Sequence, residues 1–398
     1  MKIRTLFPYL ALLIAFLIGF NLGTLELPSW SLKKDKPTTA TSDLTETHTT
    51  ETRSIDGGIG FSVPLPANPT FENTTPMNTV QMDWVLLEDT RVEKAANARF
   101  AKQNVFVVNQ TDPVVLSNLN LTAENLPHGG GIKSVFALGQ REFAYVVFVR
   151  DGCATGAIID LETFKEEIRF PCLPSLDLID LNSTGGAVLP LETDQVLLTT
   201  GTPTSAKEGD LIRNLAQDPT SPWGKVLRLS FEETGDLSYE IYASGIRNSQ
   251  GILKIEDAIY AVEHGPRGGD EINRIRPNAN YGWPKQSFGA HYHLDAIGKA
   301  APDQSTLPLY SFVPSIAPSY INTCPTLMVE SYAPYRCLAI SSFVGGSIYF
   351  VILTSDDRVV VSERLRFDHR IRKFNFDGNT LVAVTDFEGV ILGELSPY

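Results

Sequence analysis

Seven consecutive residues, Gly265-Pro-Arg-Gly-Gly-Asp-Glu271, set three glycines and a proline around two carboxylates. Such a loop can turn backbone carbonyls and carboxylate oxygens onto one point, which is what a hard cation such as Ca2+ needs. It lacks the spaced Asp/Asn ladder of an EF-hand, and taken alone a plain turn is the commoner use of such residues. Other groups with chemistry in them lie around it. His264 abuts the loop, His128 sits in Leu126-Pro-His-Gly-Gly-Gly131, and His291 and His293 form a pair with no partner that makes them a metal site. Cys153, Cys172, Cys324 and Cys337 contain no C-x-x-C spacing, which argues against a thiolate metal centre. An even set is compatible with two disulfides. Of the three connectivities, the nearest-neighbour pairing Cys153–Cys172 and Cys324–Cys337 is the expectation.

The elements that must position these groups are short and β-rich. Asn104-Val-Phe-Val-Val108, Phe143-Ala-Tyr-Val-Val-Phe-Val149, Gln195-Val-Leu-Leu-Thr-Thr200 and Ser347-Ile-Tyr-Phe-Val-Ile-Leu353 are apolar runs bounded by turn residues. Arg370 to Leu395 reads as consecutive strands, with Asp377-Gly378 and Glu388-Gly389 as turns. The best helical candidate is Thr90 to Phe100. Thirty Gly and 25 Pro fit many turns and few long helices. The fold class is all-β, a sandwich pair or a propeller, and no clean internal repeat decides between them. The net charge of −13 argues against a nucleic-acid partner, which needs a basic face.

The first 57 residues differ from the rest. They hold six basic and six acidic residues, so all of the −13 falls on the remainder. Met1-Lys-Ile-Arg-Thr5 is a basic start, and Leu6 to Gly23 is an apolar run just long enough to span a bilayer. Residues 1–30 read as a signal peptide or an uncleaved signal anchor. The lack of an Ala-x-Ala-like site favours the anchor and attachment to a membrane. Residues 31–58, rich in Thr and nearly free of large apolar side chains, read as a disordered tether. Residues 59–398 form the globule. It is expected outside the cytoplasm, in a periplasm or at a cell surface, where disulfides persist.

The stretch Tyr242 to Pro284 and its flanks carry a resemblance. Ala216-Gln-Asp-Pro219, Gly224-Lys-Val-Leu-Arg-Leu229, Gly245-Ile-Arg-Asn-Ser-Gln-Gly251 and Glu263-His-Gly-Pro-Arg-Gly-Gly-Asp-Glu-Ile-Asn273 occur in order. Asn280-Tyr-Gly-Trp-Pro284, Ile316-Ala-Pro-Ser319 and Arg370-Ile-Arg372 follow. Together they resemble the soluble quinoprotein glucose/sorbosone dehydrogenases, over about Gly185 to Leu395; Ile59 to Asp180 matches poorly. The resemblance implies a six-bladed β-propeller that uses pyrroloquinoline quinone (PQQ) and Ca2+ to oxidise a sugar and passes electrons to an external acceptor. The carbonyls of Gly265 and Pro266 would hold the Ca2+ that polarises the cofactor. Arg247, Asn248, Arg370 and Arg372 would meet the cofactor's carboxylates and quinone oxygens, a task suited to guanidinium groups. Glu271 and Tyr281 match positions that bind a second, structural Ca2+ in some relatives.

The chain also departs from that pattern. The family's His-x-Gly-Gly element supplies the base that takes the sugar hydroxyl proton; here Leu181-Asn-Ser-Thr-Gly-Gly186 puts Ser183 in the histidine slot. Thr202 replaces the acidic residue after the glycine of Thr-Gly-Asp, and Val344 aligns with a cofactor-contacting lysine. An unassisted serine is no general base near neutral pH, and losing that base costs about 10²–10⁴ in rate. His264 is the candidate stand-in. Three functions follow: a PQQ-dependent sugar dehydrogenase with impaired catalysis, a non-catalytic propeller that binds sugar, Ca2+ or a protein partner, and a Ca2+-dependent lactonase-like hydrolase.

Overall fold

A run such as Phe143-Ala-Tyr-Val-Val-Phe-Val149 is apolar on both faces, so a strand built from it needs cover on two sides. The computed structural model provides that cover by stacking small sheets face to face around a ring. It describes residues 58–78, 80–173, 179–203, 209–290, 296–298 and 305–398, all within the compact unit Thr52–Tyr398. The expected leader and most of the tether lie outside the described residues. Among the described residues no helix is long and apolar enough to cross a membrane.

The ring is a six-bladed β-propeller. Each blade is an antiparallel sheet with one innermost strand: Ala95–Phe100, Gly131–Leu138, Gly185–Glu192, Ser249–Ile255, Pro318–Thr323 and Ile371–Asp377 for blades one to six. Blade six closes the circle, because Gly389–Pro397 from the C-terminal end pairs along its whole length with Val80–Glu88. The core is correspondingly divided. Six main clusters of buried side chains sit one between each pair of adjacent blades. Strand Arg141–Arg150 shows how: Phe143, Tyr145 and Val147 face blade three, while Ala144, Val146 and Phe148 face blade one.

One feature repeats in every blade. The inner strand carries a β-bulge near its start, where the register against the second strand slips by a residue. In five blades one residue is left opposite no partner: Ala96, Lys133, Gln250, Ser319 and Arg372. Bulges re-aim side chains and are frequent beside functional sites. The helix expected over Thr90 to Phe100 is instead a turn followed by strand Ala95–Phe100. Its bulge buries Ala95 and Ala96 in succession, and with Val92 this imitates helical spacing. Both expected disulfides are present, Cys153–Cys172 in blade two and Cys324–Cys337 in blade five.

Candidate functional site

At the end of the ring where the inner strands begin lies a cavity of about 420 Å3. Its walls come from two sets of residues that antiparallel pairing brings to the same level. One set opens the inner strands: Lys94 and Ala96, Ile132 and Lys133, Ser183 and Gly185, Asn248 and Gln250, Arg370 and Arg372. The other follows the second strands: Gln110, His264, Phe343 and Asp386. Four of the bulged residues, Ala96, Lys133, Gln250 and Arg372, are among them.

The cavity is cationic. Among the described residues, Lys94, Lys133, Arg247, Arg370 and Arg372 line it, against one carboxylate, that of Asp386. That carboxylate is only 2% exposed and accepts from Arg370 Nε at 2.9 Å and from Arg372 Nε at 2.7 Å, one oxygen each. Both guanidinium groups also lie over the Phe343 ring, 4.4 and 4.8 Å from its centroid. Arg247 is buried; its Nη1 donates to His264 O at 2.8 Å and its guanidinium faces Trp283 at 5.4 Å. Its Nε is buried with no hydrogen-bond partner among the described residues. An unpaired buried donor in a cationic wall is what an incoming anion would satisfy.

A second, much smaller cavity of about 10 Å3 adjoins the first, and Arg247 and Gly265 line both. All four residues expected to hold Ca2+, Gly265, Pro266, Glu271 and Tyr281, line this one space, although the sequence divides them between two ions. Glu263 joins them. Its Oε1 accepts the Arg247 backbone N–H at 2.6 Å, while its Oε2 is buried without a partner. Burial pushes the Glu263 carboxyl well above the carboxylate range, and Glu271 close by pushes it further. Burial raises Glu271 likewise, with Asn273 opposing and Asp270 adding to the rise. The buried Glu263 with its orphaned oxygen, beside the partly buried Glu271, fits a divalent cation. The Tyr281 hydroxyl is already engaged, donating to Arg274 O and accepting from Arg276 N–H at 3.0 Å.

Ser183 lies in the large cavity, at the end of the 3-10 turn Leu181–Ser183. Gly201 fixes it there: a Cβ at Gly201 would stand 2.0 Å from Ser183 O and 2.7 Å from Arg247 O, so two backbones meet over a hydrogen atom. Thr202, in the slot of an acid, is buried and accepts from Trp283 Nε1 at 2.9 Å, steadying the ring that faces Arg247. His264 lines the same cavity, but its Nε2 pairs with Pro318 O at 2.9 Å, so the ring proton is on that nitrogen. Burial first, then Arg247, Arg372 and Arg370, hold its pKa down to about 3, too low for a useful base. His128 stays one blade away, its carbonyl accepting from Leu181 N–H at 2.9 Å. Val344 is exposed beside Phe343, and His291 and His293 lie outside the described residues.

The remaining motifs hold the site from behind. Asp270 accepts from Gly265 N–H and from the N–H groups of Ile316 and Ala317, locking the Gly-rich loop to Ile316-Ala-Pro-Ser319. Gln217 and Asn280 exchange amide hydrogen bonds at 3.0 and 2.8 Å, joining two further motifs. Residue reading missed Lys133, Glu263 and Asp386 as site groups. Asp386 becomes visible only with the hairpin register, which sets Thr385 opposite Ile371.

Residues 179–392 match the model of the glucose/sorbosone dehydrogenase family. Two curated relatives align over shorter stretches. An uncharacterized protein of Synechocystis sp. is 37% identical over 134 residues, 30% of this chain and 32% of the relative. An aldose sugar dehydrogenase of Escherichia coli is 39% identical over 92 residues, 20% of this chain and 25% of the relative. The chain thus spans about a third and a quarter of the length of these relatives. Among solved structures, the soluble aldose sugar dehydrogenase of Escherichia coli in its apo form superposes with a TM-score of 0.61 at 21% identity. That match covers 80% of this chain and 100% of the other. The PQQ-bound aldose sugar dehydrogenase of Streptomyces coelicolor gives a TM-score of 0.53 at 17% identity, covering 81% and 100%. At these identities the two structures are likenesses of fold.

Proposed function

The chain belongs to the glucose/sorbosone dehydrogenase family, and from that premise we propose that it oxidises the C1 hydroxyl of an aldose outside the cytoplasm, using PQQ and Ca2+. The observation that carries this reading is the pairing of a roomy cationic cavity with a small acidic one. Its 420 Å3 falls in the range of small-molecule sites, about 300–1,000 Å3. Lys94, Arg247, Arg370 and Arg372 around the carboxylate of Asp386 suit a tricarboxylate such as PQQ. Arg247, with its unpaired Nε, and Arg370 and Arg372, held by Asp386, would grip its carboxylates and quinone oxygens, with Asn248 beside them. When bound, that cofactor supplies an electrophilic o-quinone that takes up the hydride of the sugar.

Glu263, Glu271 and the carbonyls of Gly265 and Pro266 would hold Ca2+ at the shared wall. Its charge would convert two protonated acids into ligands and release their protons. Two disulfides support an oxidising compartment, in keeping with a leader that directs or anchors the chain there. Electrons would leave to an external acceptor.

The test is reconstitution of the purified full-length chain with PQQ, with and without Ca2+, followed by aldoses and a dye acceptor. The expected result is Ca2+-dependent quinone uptake and dye reduction; absence of both overturns the reading. Ser183 in the histidine slot favours a second reading, a propeller that binds without oxidising. Quinone or sugar uptake with no turnover would support it.

A further inference from the structure

Lys133 is the extra residue of the bulge that opens the inner strand of blade two. It therefore holds the position that Arg372 holds in blade six, and both side chains line the large cavity. Its Nζ donates to Gly129 O and, at 2.9 Å, to Leu181 O. Leu181 begins the turn that ends in Ser183, so the amine lies against the segment where the expected histidine is missing.

The chemistry of that amine follows from its partners. A neutral primary amine has two N–H bonds and one lone pair. Two backbone carbonyls take both N–H bonds, and the fourth corner of the nitrogen has no hydrogen-bond partner among the described residues: it holds a lone pair when neutral, a third N–H when charged. Burial first, then Arg372, disfavour the charged form; Asp180 opposes them and Lys94 adds to them, leaving a pKa of about 7. Arg247, Arg370, His264 and Asp386 complete the titratable and charged groups that share the cavity. A base works best when its pKa lies near the operating pH, a condition that His264 fails and Lys133 meets.

We propose that Lys133 is the proton acceptor for the sugar hydroxyl, acting from blade two where a histidine in the Ser183 slot would act from blade three. The proposal rests on the dehydrogenase reading. The C1–H and O–H bonds of the aldose both break. The hydride and its electron pair pass to a bound o-quinone, the proton passes to the amine, and C1–O becomes the carbonyl of a lactone. The ammonium then returns its proton to water.

Two measurements test it. The first follows Lys133 directly, in full-length protein free of PQQ and labelled with 13C at lysine Cε; its signal is the one absent from Lys133→Arg. It should titrate near pH 7, and titration in the ordinary lysine range overturns the role without touching the dehydrogenase reading. The second uses quinone-loaded protein in single-turnover oxidation. Lys133→Arg keeps a charged donor for both carbonyls but cannot give up its proton, so it should fold and bind PQQ. It should nonetheless lose about 10²–10⁴ in rate, together with the rise of the wild-type rate with pH through about 7. Adding Ser183→His to Lys133→Arg should restore part of the rate. A Lys133→Arg rate within threefold of wild type overturns the proposal, as does loss of PQQ binding in place of rate. A wild type that oxidises no aldose overturns this role and the dehydrogenase reading together.

Discussion

The two adjoining cavities are opposite in charge yet share Arg247 and Gly265 as a common wall. In the larger, Lys94, Arg247, Arg370 and Arg372 surround the carboxylate of Asp386, and Arg247 Nε, in the shared wall, is a donor without a partner among the described residues. In the smaller, Glu263 is buried opposite the partly buried Glu271, and Glu263 Oε2 is an acceptor without a partner among the described residues. Each is unfinished in the sense that complements the other. An anion would complete the first and a cation the second, which is the pair of ligands proposed above. The comparison teaches that the overall charge of −13 says little about either. Local pairing, set by which loops meet, decides what a pocket accepts.

The strongest way to break the cationic half is Asp386→Ala. It removes the buried carboxylate that aligns two guanidinium groups, and because Arg370 is half exposed and screened by solvent the cost falls below that of a fully buried pair, about 1–3 kcal/mol. Chemical denaturation should show that loss, and quinone affinity should collapse while Ca2+ binding persists. Unchanged quinone affinity would mean that the Arg pair is not the anchor. Gly201→Ala comes next, because its Cβ has no room between Ser183 O and Arg247 O. Overpacking of this kind costs about 1–3 kcal/mol. It should impair both cavities together, and a variant with wild-type denaturation midpoint and quinone affinity would contradict the close approach.

The acidic half predicts a pH dependence. Glu263 and Glu271 have raised pKa values in the fold, so their contribution is full below the ordinary carboxyl range and is lost as pH climbs through the raised values. The metal-free protein should therefore lose Tm between about pH 5 and 8, and Ca2+ should return it, with the larger increment at pH 8. Proton release on Ca2+ binding, followed in weak buffer, checks the same point. Glu271→Gln should flatten both responses; a Ca2+ increment independent of pH would exclude these acids as ligands. The smallest effect belongs to Ser183→His alone. With Lys133 in place it should change the rate by less than about tenfold, since one base suffices.

Much of this was readable from residue types. Gln195–Thr200 and Ser347–Leu353 are strands over the lengths that their apolar runs define, because both faces are buried between blades. Arg247, Asn248, Arg370 and Arg372, singled out by a family resemblance, line one cavity. What stayed hidden depends on register. The bulge of strand Ala95–Phe100 made consecutive alanines look helical, and the bulge at Lys133 made a cavity-facing lysine look like an ordinary break in an apolar strand. The sixfold bulge is itself a repeat, but one of backbone geometry. It places alanine, lysine, glutamine, serine and arginine at equivalent points, so no residue pattern announces it.

That the two cavities together make a quinone-dependent aldose dehydrogenase site can be checked without any electron acceptor. Full-length protein loaded with PQQ and Ca2+ is mixed anaerobically with an aldose while the absorbance of the bound cofactor is followed. One equivalent of quinone should be reduced to quinol, faster at pH 8 than at pH 6. Bound quinone that stays oxidised with every aldose at either pH would contradict the account.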